Sequence, residues 1–351
     1  MKYLLCGLST RCIAESAVNA GREVVSVDFF GDLDLMKICQ GVSLKRKYGV
    51  GLDFSPFLFL RASRGLVYDV VVYGAPLENY PGILELFAQQ YALVGNSVDV
   101  VKNVRDWRNV YTFCKRNGIL YPETLDGLDY VVKPKKSGGG VGIQRVSRYV
   151  IQKFIEGRHF SASFLGDGEK SVVVSVNEQL IGKKEFGARK FWYCGNVTPV
   201  FSDDERIEEI CEKLVKEFGL RGSCGMDFVV GDDIYLMEVN PRPQATLEIV
   251  ERSLNINMFV LHEHACNRIL ENPGNAKKTW GKAILYAEED AIMPDTRTWL
   301  NYGWVKDVPH SFERIKKGEP VCTVIADGSD RDDCVSHLVK RAESIKLEIK
   351  R

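Results

Sequence analysis

Residues 223–242 read Ser223-Cys-Gly-Met-Asp-Phe-Val-Val-Gly-Asp-Asp-Ile-Tyr-Leu-Met-Glu-Val-Asn-Pro-Arg242, a pattern typical of a β-hairpin that turns at its Gly-Asp-Asp cluster. Successive strand residues point to opposite faces of a sheet. With a two-residue turn, one face carries only apolar or aromatic side chains: Met226, Phe228, Val230, Tyr235, Met237 and Val239. The other face carries polar groups among aliphatic ones: Asp227, Glu238 and Asn240 with Val229, Ile234 and Leu236.

The polar face of this hairpin predicts a metal and phosphate site. The turn sets Asp227 directly across from Glu238, and carboxylates among aliphatic side chains need a compensating charge. Clustered oxygen ligands suit Mg²⁺ or Mn²⁺ held jointly with substrate phosphates. A solvated acidic hairpin is the alternative, and the presence of Asn240 and Arg242 beside the two acids disfavours it.

Length and composition set the class of protein. The chain has 351 residues, of which 45% are hydrophobic and 27% charged, so two or three globular domains are expected. The 47 basic residues equal the 47 acidic ones, which gives no overall field for nucleic acid or a membrane surface. Ten scattered cysteines without a CxxC pair favour reduced core thiols and a cytoplasmic location.

The first hundred residues alternate short apolar runs with helical patterns, which predicts a small parallel α/β domain over residues 1–97. Its first turn has one glycine where a dinucleotide fingerprint has three, so NAD binding is disfavoured. A helix-like stretch then runs from Val98 to Asn117, and another apolar stripe predicts a helix from Asp204 to Gly219. A break near Glu271–Asn275 separates a region at 98–272 from a small C-terminal α+β region at 273–351.

Two further segments suggest nucleotide chemistry. Lys133 precedes the glycine-rich turn Ser137-Gly-Gly-Gly140, where backbone N–H groups can converge on phosphate oxygens beside a fixed cation. The order differs from a Walker sequence, so we expect a flap over a triphosphate, with a flexible hairpin tip as the alternative. The apolar linker Gln152–Ile155 can pair its backbone with a purine edge, and His159 is spaced to reach ribose hydroxyls; an edge strand looks the same.

Taken in order, the lysine with its glycine-rich flap, the apolar linker and the Asp…Glu-x-Asn-x-Arg pattern resemble the ATP-grasp superfamily. The resemblance covers about residues 98–268 and, with Gly7–Arg11 and Asp28–Asp34 added, is nearest to the archaeal predicted ATP-dependent carboligases related to biotin carboxylase. It implies an ATP-grasp fold of two lobes, about 98–150 and 151–272, preceded by the α/β domain.

The resemblance also implies roles for individual residues. Lys133 and Arg242 are the implied catalytic residues, on the ATP phosphates and the acyl phosphate respectively. The implied nucleotide contacts are Lys133, Ser137, Gly138, Gly139, Gly140, Gln152, Lys153, Phe154, Ile155 and His159. The implied ligands for one or two Mg²⁺ or Mn²⁺ ions are Asp227, Glu238 and Asn240.

The chain departs from the family pattern at three positions. Trp107 follows Asp106 where many members have an ATP-binding lysine, so that contact is missing or falls to Arg105 or Arg108. Gln152 replaces a common glutamate. Thr246 stands where biotin carboxylase has an acid that acts as base toward bicarbonate, which weighs against bicarbonate activation.

The function predicted from the sequence is an ADP-forming ligase that joins a small carboxylate to an amine through an acyl phosphate. A biotin-carboxylase-like carboxylase and a non-catalytic ATP-binding module are the alternatives, and a homodimer is left open. No nucleic acid or membrane partner is expected. The predicted substrate contacts are Ser9, Thr10, Arg11, Arg189, Tyr193 and Asn196.

Overall fold

The computed structural model describes residues 1–125, 130–132, 144–146, 150–199 and 204–350. Two large sheets organise the fold. The first is parallel, with strand order β3-β2-β1-β4-β5, and the second is antiparallel and has eight strands. In the described part of the chain, no helix is long and apolar enough to cross a bilayer.

The N-terminal α/β domain matches the alternation predicted from the sequence. Its strands are β1 Lys2–Gly7, β2 Glu23–Asp28, β3 Gln40–Ser43, β4 Val70–Tyr73 and β5 Ala92–Leu93. Its helices are α1 Arg11–Asn19, α2 Leu33–Ile38, α3 Leu44–Tyr48, α4 Phe57–Ser63 and α5 Pro81–Ala88. A 3₁₀ turn, Leu77–Asn79, follows β4.

The helix predicted from Val98 to Asn117 is two helices, α6 Val98–Arg105 and α7 Trp107–Asn117. Asp106 separates them because its backbone is extended and its carboxylate accepts the N–H of Arg108 at 3.0 Å, capping α7. Gly118 ends α7 at φ 65°, as the sequence predicted. Two small hairpins follow, pairing β6 Thr124–Leu125 with β9 Ile151–Gln152 and β7 Tyr130–Val132 with β8 Gln144–Val146.

The eight-stranded sheet spans the rest of the chain. Its first five strands are β10 Arg158–Asp167, β11 Ser171–Ile181, β12 Tyr193–Thr198, β13 Arg221–Val230 and β14 Ile234–Asn240. Its three C-terminal strands are β15 Thr279–Tyr286, β17 Val305–Lys306 and β19 Pro320–Gly328, while β16 Ala291–Ile292 and β18 Arg314–Ile315 pair with each other in a separate two-stranded sheet. The helices are α8 Asp204–Phe218, α9 Leu247–Leu254, α10 Met258–Cys266 and α11 Arg331–Ile349, with 3₁₀ turns at Lys184–Phe186 and Thr296–Asn301.

The order of this sheet, β14-β13-β10-β11-β12-β15-β19-β17, joins regions that are distant in sequence. The C-terminal strand β15 pairs directly with β12, so the last part of the chain extends the sheet that carries the acidic hairpin. The apolar stripe of α8, which includes Ile207, Cys211 and Leu214, packs beneath the hairpin in one buried cluster with Met226 and Phe228. This packing leaves the opposite face of the sheet for polar groups.

Candidate functional site

The acidic hairpin is formed by β13 and β14, and Asp227 lies directly opposite Glu238 as the sequence predicted. The turn, however, is not the two-residue turn that the sequence predicted. Val230 pairs with Ile234, which leaves a three-residue turn, and a bulge at Met237 restores the alignment. The prediction that Ile234 and Leu236 share the face of the acids is therefore wrong: both lie in the core beneath the sheet.

The carboxylate of Asp227 is held by two amides. Gln179 Nε2 donates to Asp227 Oδ1 at 3.0 Å, and Asn240 Nδ2 donates to Oδ2 at 3.0 Å. Burial and the neighbouring charge of Glu238 raise the pKa of Asp227 to about 7. Two acids that lie opposite each other form a place where a cation is favoured.

Arg242 is positioned by groups from two parts of the chain. Its Nε donates to Glu78 Oε1 at 2.8 Å, and its Nη2 donates to Asn240 Oδ1 at 3.2 Å. Glu78 is 2% exposed and comes from the 3₁₀ turn of the N-terminal domain, while its Oε2 has no partner among the described residues. The N-terminal domain thus supplies the carboxylate that orients the arginine.

A cleft of about 330 Å³ opens beside the hairpin, and its lining includes Glu238, Met237, Gln152, Trp107 and Arg105. Arg105 binds the Glu238 carboxylate and donates to the Val239 carbonyl at 3.1 Å. The Nε of Arg105 is buried without a hydrogen-bond partner in the described part of the chain. A spare buried donor beside an acid pair suits an anionic ligand.

Within the predicted purine linker, Gln152 lines this cleft. Gln152 pairs with Thr124, and its Nε2 donates to the Thr124 hydroxyl at 3.1 Å. The Lys153 N–H is already bonded, to the Glu123 carbonyl at 2.8 Å. Phe154 is 67% exposed and Ile155 is buried.

His159 lies on β10 opposite Val229, so it shares the sheet face of Asp227, and burial lowers its pKa. Lys133, Ser137, Gly138, Gly139 and Gly140 lie outside the described residues.

The predicted substrate contacts fall in two places, around the start of α1 and around the start of β12. Thr10 is fully buried, and its N–H and hydroxyl bind the Asp28 carboxylate at 2.6 and 3.0 Å, so it holds the loop after β1. Ser9 is exposed beside Asp307. Arg11 is 1% exposed and is surrounded by carboxylates.

In the second place, the Arg189 guanidinium lies 4.7 Å from the ring of Trp192 just before β12, and Tyr193 and Asn196 lie in that strand. Tyr193 donates its hydroxyl to Asn196 Oδ1, and burial raises the pKa of Tyr193. Asn196 Nδ2 is a buried donor without a partner among the described residues. Asn196 pairs in the sheet with Gln179, the residue that holds Asp227.

Three residues of this site escaped the sequence analysis: Glu78, Gln179 and Met237. Glu78 and Gln179 reach the site through tertiary contacts that leave no local pattern. The position of Met237 directly before Glu238 could have indicated that it lies at the site, but strict alternation of strand residues placed it on the core face. The bulge redirects it to line the cleft.

The oxygen donors of the hairpin are too few to enclose a metal ion by themselves. Within the described residues, no group of three His, Cys, Asp or Glu side chains could hold an ion by protein ligands alone. Two carboxylates and the Asn240 amide oxygen nevertheless form an incomplete oxygen set, which fits a hard divalent ion completed by phosphate oxygens.

Comparison with known proteins assigns one segment of the chain to a family. Residues 104–246 match the model of the ATP-grasp domain. An uncharacterized protein from Methanocaldococcus jannaschii is 31% identical over 180 residues, covering 50% of this chain and 42% of that protein. Tyramine–L-glutamate ligase from Methanocaldococcus fervens is 31% identical over 155 residues, covering 44% and 50% respectively. The chain thus spans half or less of the length of these two relatives.

The fold comparison extends over the whole molecule. A biotin carboxylase from Campylobacter jejuni superposes with a TM-score of 0.69 at 15% identity, covering 97% of this chain and 91% of that one. The matched segment includes the hairpin acids, Arg242 and the cleft residues Arg105 and Gln152. Residues 104–246 are therefore an ATP-grasp domain, and the chain has the fold of the ATP-grasp enzymes.

Proposed function

We propose that this protein is an ADP-forming carboxylate–amine ligase. ATP transfers its γ-phosphoryl group to an oxygen of a carboxylate substrate, giving ADP and an acyl phosphate. The amine nitrogen then attacks the carbonyl carbon, the C–O bond to phosphate breaks, and the nitrogen loses a proton as the amide forms. The observation that carries this proposal is the opposed pair Asp227 and Glu238, backed by Asn240 and Arg242, at the edge of a cleft.

The acid pair suits metal-assisted phosphoryl transfer. Asp227, Glu238 and Asn240 would hold one or two Mg²⁺ ions, which neutralise charge on the β- and γ-phosphates when bound. The amides of Gln179 and Asn240 fix the Asp227 carboxylate, so its orientation is set before the nucleotide arrives.

The cleft suits ATP. Gln152 to Ile155 would pair with the adenine edge, Met237 and Trp107 offer apolar surface to the ring, and His159 would reach the ribose. Arg105, through its unpartnered Nε, takes the phosphate contact that other members give to a lysine, while Lys133 and the flap Gly138–Gly140 cover the phosphates.

Arg242 is the residue we assign to the reacting groups. Its guanidinium is held by Glu78 and Asn240, which fixes a cation next to the acid pair. A fixed cation stabilises the charge that develops on the transferred phosphoryl group and on the acyl phosphate. Thr246, at the position of the carboxylase base, is bound to the Ser163 hydroxyl at 2.9 Å, which supports the ligase over the carboxylase.

The test is interception of the acyl phosphate. The protein is incubated with Mg·ATP, hydroxylamine and a panel of carboxylates, and hydroxamate and ADP are measured together. One or more acids should give hydroxamate and ADP in equal amounts. Arg242→Ala should suppress both by about a hundredfold, since one electrostatic partner in a preorganised site is worth about 3 kcal/mol. Arg116→Ala, which removes an exposed arginine paired with Glu217, is the control and should not change the rate.

Three results would contradict the proposal. Release of AMP and pyrophosphate indicates adenylation, and ADP formed only with bicarbonate indicates the carboxylase. Tight ATP binding without turnover for any acid indicates a nucleotide-binding module.

A further inference from the structure

A second cavity, of about 380 Å³, lies between the N-terminal domain and the C-terminal strands of the large sheet. Lys282 and Ile284 on β15 form part of its floor. Lys282 pairs with Asn196 on β12, and Asn196 pairs with Gln179 on β11, whose amide reaches Asp227. Paired residues share a face. The cavity therefore opens on the same face of the sheet as the acid pair.

The walls of this cavity are mainly apolar and aromatic. They include Phe30, Leu52, Trp192, Ile284, Tyr286 and Val321. Trp192 is fixed between the Arg189 guanidinium at 4.7 Å and the Tyr286 ring at 5.2 Å. A rigid aromatic side chain at a cavity wall gives an apolar ligand a flat surface.

The cations that line the cavity are already neutralised. Arg11 contacts Asp307 at 2.8 Å, Glu248 at 2.9 Å and Asp34 at 3.5 Å. Lys282 contacts Glu248 at 2.9 Å and is 4% exposed. Neither base has charge to spare for a carboxylate ligand.

Asp32 is different. It lines the cavity and is only 8% exposed, yet its carboxylate has no hydrogen bond or ion pair among the described residues, including at the start of α2, which it precedes. Burial and the charges of Asp307, Asp28 and Asp34 raise the pKa of Asp32. A buried acid without a partner is a place where a cation gains most.

The charge balance around the cavity also favours a cation. The connected or neighbouring acids outnumber the bases: Glu15, Asp28, Asp32, Asp34, Glu248 and Asp307 against Arg11, Arg189, Lys282 and Lys306. The excess is negative, so the site selects against a second carboxylate and in favour of an ammonium group.

Resting on the proposed ligase activity, we propose that this cavity binds the amine substrate, an apolar or aromatic primary amine whose ammonium group contacts Asp32 and whose body lies against Trp192. The carboxylate substrate then remains near Arg242. Ala245 lines the cavity and is three residues beyond Arg242 in the chain.

The test is calorimetric binding to the full chain of three probes of similar size: 2-phenylethylamine, 2-phenylethanol and 3-phenylpropionate. The amine should bind at least about tenfold more tightly than the alcohol, as expected for a charge-assisted hydrogen bond, and the carboxylate more weakly still. Asp32→Asn should remove the preference for the amine. Asp69→Asn is the matched control. Asp69 is exposed beside Lys2, at the edge of the parallel sheet opposite to Asp32, so this change should leave the preference for the amine intact.

If Asp32→Asn does not fold, Trp192→Ala carries the test. It should weaken binding of the amine about tenfold while leaving Mg·ATP affinity unchanged. Equal affinities for amine and alcohol, tighter binding of the carboxylate, or an unchanged amine preference in Asp32→Asn would each overturn the inference. Calorimetry and the hydroxamate assay are independent. If Asp32→Asn loses amine binding but the wild-type protein gives no hydroxamate, the cavity assignment is supported and the ligase is refuted. If the wild-type protein gives hydroxamate but Asp32→Asn keeps its amine preference, the cavity assignment alone is refuted.

Discussion

Glu78→Gln is the substitution that examines how Arg242 is oriented. It keeps the shape of the side chain and an acceptor oxygen but removes the charge that the Arg242 guanidinium contacts at 2.8 Å. A hydrogen bond to a buried charged group contributes about 1.5–3 kcal/mol. If that energy is used to hold Arg242 in its reactive position, the loss corresponds to about a 10- to 100-fold fall in kcat.

Steady-state ADP release, with the acid identified in the hydroxamate screen, measures this effect. The KM for ATP should stay within about twofold, because Glu78 is not among the residues that line the nucleotide cleft. Glu85→Gln is the control: Glu85 is an exposed acid of the same domain, paired with Lys102, and its loss should leave kcat unchanged. A wild-type kcat in Glu78→Gln, or a fall that follows loss of folded protein in thermal melts, would refute the positioning role.

Three other predictions concern the site and the stability of the chain. Asp227→Asn and Glu238→Gln should each lower kcat by about a hundredfold or more without unfolding, as checked by ADP release beside circular dichroism; activity that simply follows the folded fraction would make both residues structural. Arg105→Ala and Lys133→Met should raise the KM for ATP, and unchanged ATP affinity by calorimetry would remove the phosphate role from either residue. Burial raises the pKa of Glu251 to about 7, so its ionised form destabilises the fold above pH 7, and proton uptake relieves this as the pH falls. Glu251→Gln should therefore raise Tm at pH 8, and this gain should shrink by pH 5. A gain in Tm that does not depend on pH would contradict the assignment.

The sequence predicted the features that depend on local pattern. The sequence predicted that Asp227 lies opposite Glu238, and the structure agrees because the extra residue of the turn and the bulge at Met237 compensate for each other. The first hundred residues alternate strand and helix patterns, and that alternation predicted the parallel sheet. Strict alternation failed between the turn and the bulge at Met237, so Ile234 and Leu236 lie on the face opposite to the predicted one.

Contacts between distant segments were not predictable from one sequence. Asp32 and Glu78 are single acids in short loops, and their importance depends on what the rest of the chain brings next to them. The roles of Lys133 and Gly138–Gly140 and the domain limits at 97 and 272 stay predictions.

The pairing of β12 with β15 has a consequence for how this molecule can change over evolution. The hairpin with its two acids lies at one end of the large sheet, within the segment that matches the ATP-grasp model, while β15 and β19 lie beyond that segment toward the other end. Mutations on those strands therefore fall outside the segment that matches the ATP-grasp model, although β15 pairs directly with β12 inside it. New substrate specificities can therefore arise by substitutions at one end of the large sheet. A mutant library confined to residues 280–323 would test for them with few positions.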